Sequence, residues 1–125
     1  MKAAIHTFDS TTEFYTDERC YVVENANDEN DPDLSIARIR VKPRVTTQWH
    51  SLTGTTERYV ISSGKGRMEV GDLPPQVVTY GDVVVIPPGV RQRITNIGDD
   101  DLLFLALCSP RFEPDCYVNL EDGEE

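Results

Sequence analysis

Glycine and proline interrupt this chain so often that a long helix has no room to form. Gly64-Lys65-Gly66, Gly71-Asp72, Pro74-Pro75, Gly81-Asp82, Pro87-Pro88-Gly89 and Asn96-Ile97-Gly98-Asp99 follow one another across residues 64–99. Each can supply the positive or fixed φ that a tight reversal requires. The stretches between and before them are short and β-prone: residues 20–23, 34–41, 59–61, 67–70, 77–80, 83–86, 92–95 and 102–107. Helical periodicity is nowhere sustained. Many short strands bounded by turns predict an all-β, antiparallel double-sheet barrel or sandwich with little helix.

Within that pattern Glu57, Tyr59 and Ile61 share one strand face. The run Val83-Val84-Val85-Ile86 is apolar on both faces, which predicts a strand covered on both sides. A length of 125 residues suits one domain. Its core is expected over about 34–110, with N-terminal strands and an acidic loop in 1–33 and a C-terminal tail in 111–125 whose acidic end, 121–125, is solvated.

Charge and cysteine content exclude several functions. Twelve Lys and Arg against 22 Asp and Glu leave a net charge of −10, which repels phosphate backbones and anionic membrane surfaces. No apolar run has signal-peptide or membrane-span length, so a cytoplasmic location is expected, with no nucleic-acid or membrane partner. Cys20, Cys108 and Cys116 are an odd number without paired spacing, so reduced thiols are expected, Cys108 as a small core residue. The two histidines, His6 and His50, lie far from every cysteine in sequence, and no nucleophile elbow occurs.

Two signatures carry the chemistry. The first runs from His50 to Gly64 and contains His50, Leu52, Glu57 and a glycine seven positions after that glutamate. The second runs from Gly81-Asp82 through Pro87, Gly89 and Gln92 to Asn96. Together they resemble the paired motifs of the cupin superfamily, and the chain is similar to its small single-domain members of the RmlC-like and mannose-6-phosphate isomerase-like kind. The family's first motif has two histidines one residue apart, then the glutamate and the glycine. Its second has glycine-aspartate, proline, glycine, histidine and asparagine at the intervals found here. In this chain Leu52 stands at the second histidine and Gln92 at the third.

The resemblance implies a jelly-roll barrel whose mouth holds a site for a small polar metabolite. It also implies one divalent metal on His50, Glu57 and Gln92, an oxygen-rich set suited to manganese, iron, nickel or magnesium and, with fewer of its favoured donors, to zinc. A competing register uses Gln48 and His50 as the ligand pair, with a bulge at Gly54. In the metal-free alternative, His50 is hydrogen-bonded to Gln92 or Glu57 and the pocket takes an organic molecule directly.

Gln48 and Tyr59 are the further candidates to touch substrate, Tyr59 packing the barrel being the plainer role. Arg38 and Arg40 would suit a substrate carboxylate or phosphate, or else a solvated face meeting local acids. Arg91, Arg93 and Trp49 are expected to point outward. The functions consistent with this set are isomerase, epimerase, lyase or dioxygenase chemistry, or a binding or sensor module without turnover. A homodimer paired through an edge segment near residues 15–23 is expected.

Overall fold

The fold was established from a computed structural model, in which residues 1–121 are described. Eleven strands build two antiparallel sheets, and the helix among the described residues is limited to two single 3-10 turns, Ser10–Thr12 and Pro114–Cys116. The strands are β1 (Phe14–Tyr15), β2 (Tyr21–Ala26), β3 (Ser35–Val41), β4 (His50–Leu52), β5 (Thr56–Ser63) and β6 (Gly66–Val70). They continue with β7 (Gln76–Val78), β8 (Val83–Ile86), β9 (Gln92–Asn96), β10 (Leu102–Ser109) and β11 (Tyr117–Asn119). One sheet has the order β1-β2-β3-β10-β5-β8 and the other β11-β4-β9-β6-β7. From β3 to β6 and again from β7 to β11 consecutive strands alternate between the sheets, which is the double-sheet jelly roll the turn pattern predicts.

Alternation along the strands decides what lies between the sheets. On β5 the buried residues are Glu57, Tyr59 and Ile61, on β9 Gln92, Ile94 and Asn96, and on β10 Leu102, Phe104, Ala106 and Cys108. Phe104, Ile61, Ile94, Leu102 and Val41 form the apolar end of the interior. The Tyr59 and Phe104 rings pack at 4.3 Å between centroids. The opposite end holds the buried polar residues His50, Glu57 and Gln92.

The motif glycine Gly64 sits at φ +90°, and a Cβ there would lie 2.8 Å from the Asp101 carbonyl oxygen. Both facts select glycine. Asn96, at the end of the second signature, is fully buried. It donates to the Val41 and Asp100 carbonyls at 2.8 and 2.9 Å and accepts from the Gly98 N–H at 2.9 Å. Its role in this chain is therefore to close the turn after β9.

Three expectations are corrected. β8 is an edge strand with one covered face, so Val84 and Ile86 are buried while Val83 and Val85 are 57% and 58% exposed. The segment near residues 15–23 is divided between the edge strand β1 and β2, which pairs on both sides. The C-terminal tail is tied down up to the start of its acidic end, because Tyr117–Asn119 pairs with β4. Glu121 is held there by Arg19 at 2.8 Å and by the Trp49 N–H at 2.8 Å. The rest of the acidic end, residues 122–125, lies outside the described residues.

Candidate functional site

The polar end of the barrel is assembled from both sheets. β4 and β9 are paired so that His50 lies directly opposite Gln92. β5, in the facing sheet, turns Glu57 and Tyr59 inward toward them. Gln92 joins the sheets: its Nε2 donates to Glu57 Oε1 at 2.8 Å, and its Oε1 accepts from the Tyr59 hydroxyl at 2.5 Å. All three residues are buried, so each bond is made where water cannot replace it.

His50 is fixed on three sides. Its Nδ1–H donates to the Gln48 carbonyl at 2.8 Å, its ring stacks on Tyr117 at 4.8 Å, and Glu18 Oε2 lies 3.5 Å from Nδ1. That bond leaves Nε2 as the lone-pair nitrogen, 4.0 Å from Glu57 Oε1, which is too long for a direct hydrogen bond. Burial is the leading influence on both groups. It pushes the Glu57 carboxyl up to about 7 and the His50 imidazole down, outweighing their mutual attraction. Glu18 is also raised to about 7 by burial, although its side chain keeps 23% of its surface exposed, so solvent tempers its shift more than that of Glu57. Near neutral pH the His50 imidazole is thus neutral, while the Glu57 carboxyl is divided between its protonated and ionised forms.

A cavity of about 150 Å³ opens over this group between β2, β3 and β10. Glu57 is the one member of the buried set that lines it, beside Glu18 and Cys108, while His50, Tyr59 and Gln92 lie behind. The Cys108 thiol donates a weak bond to Glu57 Oε2 at 3.8 Å, and burial raises its pKa, which makes it a poor nucleophile. Phe14, Ala37, Ile39, Ala106 and Phe112 supply most of the wall.

The sequence-derived candidates divide accordingly. His50, Glu57, Gln92 and Tyr59 converge. Gln48 reaches the group through its backbone, while its side chain accepts from the Tyr117 hydroxyl at 2.6 Å. Arg38 and Arg40 do not converge, because Ala37, Ile39 and Val41 take the inward positions of β3. Both arginines instead bind a carboxylate that the chain supplies, Glu13, at 3.1 and 2.7 Å, and Arg40 also pairs with Asp101 at 3.1 Å. Trp49 lies under Arg91 and Arg93, the outward arrangement alternation predicts. The sequence reading missed Glu18 and Tyr117. Neither stands in a motif, and only the closing of β11 over β4 brings Tyr117 to His50.

The donor set does not fit a divalent ion. Gln92 would have to offer an amide oxygen that Tyr59 already occupies, and it presents an N–H to the carboxylate that would be its fellow ligand. Leu52 supplies no donor at all. No group of three or more His, Cys, Asp or Glu able to hold a metal occurs among the described residues.

Comparison with known proteins agrees with the architecture. Over 108 residues the chain is 29% identical to the oxalate decarboxylase OxdC of Bacillus subtilis (strain 168), an overlap of 82% of this chain and 26% of that protein. The chain therefore spans about a quarter of the length of that curated relative. Among solved structures, KdgF from a Halomonas species superposes with a TM-score of 0.79 at 15% identity, covering 91% of this chain and 99% of the other. Streptomyces Pac13, described as a nucleoside dehydratase, gives 0.75 at 13% identity, with coverage of 94% and 92%. At such identities these structures speak for the fold. The cupin domain family model matches residues 37–108, from β3 to β10, and by that match and by its two-sheet barrel the chain belongs to the cupin family.

Proposed function

We propose that this chain is a metal-independent cupin that seats a compact organic molecule in the cavity above Glu57 and meets it with the Glu57 carboxyl as proton donor or acceptor. The observation that carries this reading is the engagement of Gln92. At the position where the family's second motif places a histidine, this chain has an amide that clamps Glu57 with an N–H and is itself clamped by Tyr59. A metal ligand would have its lone pair turned toward the ion. Here the same position orients a carboxyl whose proton is exchangeable near neutral pH. Binding in the cavity excludes water from that carboxyl, and His50 Nε2 behind it can take or return the proton through small movements.

The chemistry served by such a group is proton transfer accompanying elimination. That is in keeping with a fold neighbour named for a dehydratase reaction. Isomerisation by the same acid and base is the neighbouring possibility within this reading.

Elemental analysis tests the metal question directly. Protein purified without a histidine tag and reconstituted in turn with manganese, iron(II), nickel and zinc is expected to retain well under one ion per chain. The Gln92→His variant, which restores a nitrogen donor opposite His50, is expected to retain more. Near-stoichiometric metal in the wild type, lost in His50→Ala, would overturn the proposal.

A further inference from the structure

The cavity has a surplus of acceptors and almost nothing to give. Glu57, Glu18 and Glu24 all line it, and no lysine, arginine or histidine does. Arg111, which bonds Asn27 Oδ1 at 3.0 Å, is paired with Glu113 at 3.5 Å and is not part of the lining. Apart from the Ser35 hydroxyl, which accepts from the Phe112 N–H at 2.9 Å, the side-chain donors that are present have internal partners. The Thr16 hydroxyl donates to the Cys20 carbonyl at 3.1 Å, and Asn27 Nδ2 donates to the Phe112 carbonyl at 2.9 Å. The Cys108 thiol faces Glu57. Glu57 is nine-tenths buried, yet its Oε2 receives only that thiol contact at 3.8 Å. Among the described residues, Glu18 has no hydrogen bond to its carboxylate beyond the His50 approach at 3.5 Å.

An anion entering here would meet like charge and find no N–H to pair with, a juxtaposition that strongly suppresses binding. The rest of the wall is apolar, with Phe14 and Phe112 among its members. A volume of about 150 Å³ is that of an apolar cavity able to take a benzene-sized guest.

We infer that the ligand is a small organic cation, an ammonium or amidinium group on an apolar body about one ring in size, with its N–H donors on Glu57 Oε2 and Glu18 and its body between the apolar walls. The inference rests on the cavity being the binding site, as proposed above, and it separates this chain's ligand from dicarboxylates such as oxalate. Aromatic rings near the cation add to the preference.

The test uses three probes of one shape and different charge, benzylammonium, benzyl alcohol and benzoate, titrated at about pH 8, where carboxylates of this kind are ionised. Binding is followed by calorimetry and by the amide and methyl NMR signals of Ala37 and Ala106. Benzylammonium is expected to bind at least about tenfold more tightly than the alcohol, and benzoate not at all. Glu57→Gln and Glu18→Gln, each checked for an unchanged NMR dispersion, should each remove most of that preference. Equal binding of alcohol and ammonium, or tighter binding of benzoate, would overturn the cation assignment and leave the cavity reading standing. Failure of all three probes to shift either alanine would overturn both.

Discussion

Replacing Glu57 with glutamine should make this protein more stable at alkaline pH while leaving it unchanged in mild acid. Burial holds the Glu57 carboxyl at about 7, above its ordinary value of 4.5, so the native state binds that proton more tightly than the unfolded chain does. The sign follows from linkage: the stabilisation is complete below about 4.5, is lost as pH rises through about 7, and levels off above. Each unit of pKa is worth about 1.4 kcal/mol. The interval from 4.5 to about 7 thus sets a ceiling of roughly 3 kcal/mol. Glu18 and His50 titrate in the same field and share part of it, so the expected gain is about 1–3 kcal/mol.

Glutamine is the right probe because it keeps both the volume and the Oε1 acceptor that Gln92 Nε2 needs. Urea unfolding followed by Trp49 fluorescence at pH values from about 4 to about 8.5 would show the two proteins coinciding at the acid end, diverging as pH rises from 4.5 to about 7 and keeping a constant difference above that. For a chain of this size a gain of that order raises the melting temperature by several degrees. Stability curves that run parallel across the whole range would refute the reasoning, since Glu57 would then ionise like an exposed carboxyl.

Tyr59→Phe leaves the buried Gln92 Oε1 without its donor and should cost about 1–3 kcal/mol, measured by the same unfolding assay; a neutral outcome would mean that the amide finds another partner. Arg19→Ala removes the half-exposed bridge to Glu121, so global stability should change by no more than about 1 kcal/mol. Hydrogen exchange at Tyr117 and Asn119 should nevertheless speed up clearly, and unchanged protection would show that β11 holds without the bridge. Gly64→Ala forces a Cβ against the Asp101 carbonyl at 2.8 Å and a side chain into φ +90°. It should destabilise by at least about 1 kcal/mol, and a melting temperature equal to wild type would contradict the packing described.

Of the architecture, what the sequence determined by itself was the part written in local physics. Glycine at Gly64 and Gly81, both at positive φ, and the strand-length runs between turns specify two-sheet β structure because each constraint acts within a few residues. Alternation was equally local, and it placed Glu57 with Tyr59 and turned Arg91 and Arg93 outward. The same rule misjudged β8, since an apolar run reads alike whether its second face is covered or lies at the edge of a sheet, as Val83 and Val85 do.

The site was less legible, because its chemistry depends on which way hydrogen bonds run between distant strands. The resemblance to the cupin motifs nominated His50, Glu57 and Gln92. It could not show that Gln92 turns its N–H to Glu57 and its oxygen to Tyr59, which makes the amide a clamp in place of a metal donor. Nor could it bring Glu18 and Tyr117 to His50 from opposite ends of the chain, or reveal that Arg38 and Arg40 are already held by Glu13. Turns and alternation are properties of neighbouring residues, so they can be read along the chain. Proton positions, cavity charge and burial are sums over side chains that only folding brings together.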